Sequence, residues 1–88
     1  MKQYKAVFKY SILVAKEAIE QTGEAVLIVE AENIAEACEN ACRNYANFLA
    51  LKYSKFGYVY SYKGFSFVHI HIANKLDIDS ELIKIEKV

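Results

Sequence analysis

The sequence predicts an α+β fold: one mainly antiparallel sheet with a single amphipathic helix packed on one face, in the order β-β-α-β-β-β. Three observations predict it. Residues 4–14 alternate with period two, residues 33–49 repeat apolar positions at three- and four-residue steps, and Phe56 to Ile72 alternates on both sides of a Lys63-Gly64 pair. Eighty-eight residues supply one modest core, so 1–88 reads as a single domain. A hydrophobic fraction of 55% with no proline excludes a disordered chain.

The first strand sets Tyr4, Ala6, Phe8, Tyr10, Ile12 and Val14 on one face and Lys5, Val7, Lys9, Ser11 and Leu13 on the other. Ala15 to Gln21 reads either as a helical turn or as more strand running to a turn at Thr22-Gly23. Ala25 to Ala31 is a near-continuous apolar run, the mark of an interior strand, and pairs with the first as a hairpin. Asn33 opens the helix with Glu36 three residues on, a capping-box spacing. Ile34, Ala37, Cys38, Ala41, Tyr45, Phe48 and Leu49 form its apolar stripe. After the aromatic hairpin, Asn74 to Ser80 reads as a polar loop and Leu82 to Val88 as a closing strand.

The hairpin carries the candidate binding residues. With Lys63 and Gly64 as the two loop residues, Tyr62 lies opposite Phe65, Tyr60 opposite Phe67, Tyr58 opposite His69 and Phe56 opposite His71. Tyr58, Tyr60, Tyr62, Lys63, Phe65, Phe67, His69 and His71 are therefore the candidate site. Val59, Ser61, Ser66, Val68, Ile70 and Ile72 occupy the reverse face. Small Ala37 and Ala41 suit close approach to the branched residues, so the aliphatic face is expected under the helix and the aromatic face toward a partner. A single helix covers only one face, and the surplus implies association: a homodimer or higher oligomer, with a protein partner.

Charge and motif content narrow the function. The net charge is zero, but residues 17–39 hold seven glutamates and no cation, whereas lysines dominate 1–16. No global field draws the chain to nucleic acid or an anionic membrane, and no apolar run reaches a membrane span. Two cysteines without a secretory signal fit a cytoplasmic protein. Cys38, Cys42, His69 and His71 compose a zinc set only if the histidine face looks at the helix, the reverse of the expected arrangement, so no metal or cofactor is expected. No phosphate loop, nucleophile motif or paired carboxylates in a cleft appear, and the chain reads as non-enzymatic.

Two local resemblances add to this. Val29, Ala31, Asn33, Glu36 and Ala37 sit in a strand-to-helix passage that resembles a unit of small phage and plasmid accessory proteins, including the DpnD/PcfM-like family. It implies a mobile-element protein that acts by binding and blocking a host component, a phage-type inhibitor. Lys63-Gly64-Phe65-Ser66-Phe67-Val68-His69-Ile70 resembles the octapeptide ribonucleoprotein motif of RNA-recognition-motif domains, with Ile70 departing from its final aromatic. That implies the alternative: a single-stranded nucleic-acid or nucleotide binder stacking bases on Phe65, Phe67, Tyr58 and Tyr60.

Overall fold

The computed structural model describes residues 1–14, 19–53, 59–63, 67–72 and 76–88. Its elements are β1 (Lys2–Val14), β2 (Ile19–Ala31), α1 (Ile34–Tyr53), β3 (Val59–Lys63), β4 (Phe67–Ile72) and β5 (Leu76–Lys87). The order β-β-α-β-β-β is the expected one. All pairings are antiparallel, and the strands lie side by side as β2-β1-β5-β4-β3. β5 therefore joins the two hairpins into one five-stranded sheet. No helix among the described residues is long and apolar enough to cross a membrane.

The alternation of β1 works as its pattern dictates. Tyr4, Ala6 and Phe8 are buried against the helix, as are Val29 and Ala31 of β2, Val68 of β4 and Ile78 of β5. Phe8 stacks on Tyr45 of α1 with ring centroids 4.3 Å apart and planes 13° from parallel. The Tyr45 hydroxyl shares a buried hydrogen bond of 2.8 Å with Ser80 Oγ, so the one polar side chain at this depth in β5 is satisfied. Asn33 caps α1: its Oδ1 accepts from the Glu36 N–H at 2.8 Å, and its carbonyl from the Ala37 N–H at 2.9 Å.

The helix meets the sheet on a rotated stripe. Ala37, Ala41, Cys42, Tyr45, Ala46, Leu49 and Ala50 are buried, whereas Ile34 and Phe48 remain 56% and 58% exposed. Close approach to the sheet, nearest at β2 and β4, selects small residues at the contact and sets large ones at its rim. Cys42, Ala46 and Ala50 thus take places that the apolar periodicity gave to Ile34 and Phe48.

Three boundaries differ from the expectation. Thr22 and Gly23 form no turn; they lie within β2, paired with Ser11 and Tyr10. Gly23 accommodates the Tyr10 ring across the ladder, because a Cβ there would sit 2.6 Å from Tyr10 Cζ. Asn74 to Ser80 is not a loop throughout, since β5 begins at Leu76 and already pairs with β1 and β4 there. Its acids alternate with Ile78 and Ser80, which is half-buried strand rather than turn chemistry. Farther along β5, Val7 pairs with Lys84 but Phe8 with Leu82, leaving Ile83 as a bulge. That one extra residue lets Leu82 and Ile85 both pack on the core.

Candidate functional site

The face of the sheet opposite α1 has no covering layer among the described residues. Its composition follows from the strand periods. β1 contributes Lys5, Val7, Lys9, Ser11 and Leu13, and β2 sets Thr22, Glu24, Val26 and Ile28 beside them. β5 adds Asp77, Asp79 and Glu81, and β4 adds His69 and His71. Val26 and Ile28 are each 56% exposed, with Leu13 and the bulged Ile83 also open. Apolar area is thus concentrated toward β2 and the polar groups toward β4.

The polar half is built from two adjacent histidine–aspartate pairs. β4 and β5 run antiparallel with His69 opposite Asp79 and His71 opposite Asp77. The His71 Nδ1–H donates to Asp77 Oδ1 at 2.6 Å, and the His69 Nδ1–H donates to Asp79 Oδ1. A carboxylate only accepts, so each Nδ1 is the donor in its pair and each Nε2 is left for other contacts. His69 Nε2 lies 3.9 Å from Asp77 Oδ1, which links the two pairs diagonally when His69 is protonated. Beside them a shallow cavity of about 360 Å³ is lined by Lys9, Ser11, Thr22, Asp79 and Glu81. The cross-strand pairing continues this as a row across all five strands: Thr22, Ser11, Asp79, His69 and Ser61.

The hairpin register differs from the expected one. Lys63 pairs with Phe67, Tyr62 with Val68, Ser61 with His69, Tyr60 with Ile70 and Val59 with His71. Residues 64–66 therefore separate the strands, not a two-residue turn at Lys63-Gly64. The shift is an odd number of residues, and an odd shift exchanges faces. Positions 59, 61 and 63 accompany Phe67, His69 and His71; positions 60 and 62 accompany Val68 and Ile70. The tyrosine and histidine positions are thus divided between the two faces. Tyr58 and Phe65 lie outside the described residues. Val68 is fully buried in one core cluster with Ala37 and Ala41, and His71 is exposed, so Val68 lies on the helix side of β4.

Cys38 and Cys42 belong to α1, with the sheet between them and the histidines. Burial raises both thiols, and Cys42 is pushed up to about 11 by burial first and then by Cys38. Neither presents a ready thiolate. Among the described residues no three His, Cys, Asp or Glu side chains are arranged to hold a metal ion. The Asp77–His71 and Asp79–His69 pairs escape a reading that places both aspartates in a loop; their period-two spacing opposite His-x-His is the signal that finds them. Comparison with protein families, curated proteins and solved structures gave no match.

Proposed function

We propose that the chain is a small non-catalytic interaction protein that self-associates and holds a protein partner on the sheet face opposite α1. The carrying observation is that, among the described residues, one helix serves a five-stranded sheet, leaving Leu13, Val26, Ile28 and Ile83 in solvent on the face that also holds the His69–Asp79 and His71–Asp77 pairs. Covering the exposed aliphatics is favourable, and the two histidine–aspartate hydrogen bonds can be kept when the face is covered. Asp77, Asp79 and Glu81 line the strand next to β4. Those carboxylates repel a phosphate backbone, which favours a protein partner over the nucleic-acid alternative. The likeness of the strand-to-helix passage to phage accessory proteins fits action by occupancy, with a blocked host component as the consequence.

Light scattering across a wide concentration range tests the reading. The protein is expected to be a dimer or larger, and Leu13→Asn with Ile83→Asn is expected to shift it toward monomer with its helical circular dichroism intact. A monomer at all concentrations, with no partner cross-linked to this face in cells, would reject it.

A further inference from the structure

β2 is an outer strand of the sheet, and its far edge pairs with no other strand among the described residues. Two hydrogen bonds fix which of its backbone groups point outward. The Val88 N–H donates to the Gln3 carbonyl at 2.9 Å, so the peptide groups of Gln3 face β5 rather than β2. Gln3 pairs with Glu30, which makes that pair the non-hydrogen-bonded kind and turns the peptide groups of Glu30 away from β1. Asn40 Nδ2 donates to the Glu30 carbonyl at 3.0 Å from the helix, in agreement. The β1–β2 register runs unbroken from Ala31 to Ile19. Ile28, Val26, Glu24 and Thr22 therefore each aim one N–H and one C=O outward.

A trough flanks this edge. On the helix side, a cavity of about 340 Å³ is lined by Ala25, Val26, Leu27, Tyr45 and Phe48. A chain laid along β2 would set alternate side chains into the trough over Ala25 and Leu27, and the others beside Glu24, Val26, Ile28 and Glu30. Along β2 itself the charge is of one sign, since Glu24, Glu30 and Glu32 are exposed and no cation occurs between residues 17 and 39; Lys9 of β1 lies opposite Glu24, and uncharged Gln3 opposite Glu30.

We infer that the free edge of β2 is the docking site for an extended apolar segment of another protein flanked by lysine or arginine, added as a further strand with its side chains in the β2–α1 trough. Main-chain hydrogen bonds supply the hold, and the trough and the two glutamates supply the selectivity. A second copy paired about Leu27, the register that fills the trough symmetrically, would set Glu24 opposite Glu30 twice, and like charges directly opposite destabilise a ladder, so a lysine- or arginine-flanked segment suits that register better. The inference rests on the protein-binding reading above but uses the backbone edge of β2 and the helix-side trough, sharing with the self-associating face the side chains of Val26 and Ile28.

The probe is a fluorescent acetyl-KAVLVAK-amide peptide, whose terminal lysines have the spacing of Glu24 and Glu30, with EAVLVAE as control. Anisotropy is expected to show the lysine peptide binding at least tenfold more tightly. Amide exchange at Glu24, Val26 and Ile28 is expected to slow on binding, while Ala25, Leu27 and Val29, already bonded to β1, change little. Val26→Pro deletes one outward N–H and spares the β1 ladder, so it should fold and lose at least tenfold in peptide affinity. If that variant misfolds, Glu24→Lys with Glu30→Lys serves instead and should transfer the preference to the glutamate peptide. Equal binding of both peptides, no binding at millimolar peptide, or peptide binding untouched in a folded Val26→Pro variant each overturns the inference. Dissociation of the oligomer by Val26→Pro but not by Val26→Asn also overturns it, because loss of the N–H rather than of the side chain names a second copy on the β2 edge as occupant. Peptide binding that survives Leu13→Asn with Ile83→Asn keeps this inference separate from the self-association it accompanies.

Discussion

The two faces of this sheet are drawn from the same strands, one residue out of phase, and they solve opposite problems. Under α1, Phe8, Tyr45, Val68 and Ile78 are packed to near-complete exclusion of water, and the one polar pair there, Ser80 with Tyr45, is closed on itself. On the reverse face, polar groups pair laterally between β4 and β5 in reach of solvent, and the aliphatics at β2 stay open. Stability is concentrated on the first face, and the second is left free to vary in what it touches. Substitutions should divide by face, with large effects under the helix and small ones opposite.

The largest effect is expected at Phe8. Replacing it by Ala removes a fully buried ring stacked on Tyr45 and should cost about 3–5 kcal/mol, read from the urea midpoint. A cost below about 1 kcal/mol would break the contrast, since surface substitutions lie in that range.

Next comes alkaline pH, sensed through Cys42. Burial, then Cys38, raises the folded thiol to about 11, whereas an unfolded cysteine titrates near about 8.5. The unfolded state releases its proton first as pH rises. The stability is therefore fully present below about pH 8.5 and lost progressively toward 11, a decline on the order of 3 kcal/mol by linkage. Comparison with Cys42→Ala isolates it: the wild type should lose the extra stability over that interval, and an equal decline in both would reject the assignment.

The smallest effect belongs to the open face. His69 and Asp79 have side chains 38% and 53% exposed, so His69→Asn and Asp79→Asn should each cost under about 1 kcal/mol at neutral pH. A double-mutant cycle sharpens the comparison. A coupling above about 2 kcal/mol would mean that this pair is sheltered as the core is, beyond the usual range for an exposed ion pair.

Much of the covered face is legible in the amino-acid sequence. Tyr4, Ala6 and Phe8 repeat at two residues because one face of β1 is dry, and Asn33 with Glu36 marks a helix start by its own hydrogen-bonding chemistry. The open face is harder to read, for reasons that are also physical. Asp77 and Asp79 resemble turn residues until His71 and His69 are seen across the ladder, because pairing partners are set by topology and not by neighbours in sequence. A Lys-Gly dipeptide suggests a two-residue turn, yet Lys63 pairs with Phe67, and the odd shift reassigns the hairpin positions of one strand to the other face. The bulge at Ile83 leaves no mark in composition, and it resets the frame in which Leu82 to Ile85 alternate.

The position of β5 bears on how the chain reaches this state. It follows the other described strands in sequence, yet it lies between β1 and β4 and forms the only described strand-to-strand link between the two hairpins. Without β5, β1–β2 and β3–β4 are two-stranded ribbons connected through α1, and a two-stranded ribbon alone is marginal in water. Their joining waits for β5 to thread between two half-formed edges, a step dominated by contacts distant in sequence and therefore slow. Until it does, both inner edges are open to pairing with other chains, so folding has an aggregation-sensitive interval that closes when β5 docks.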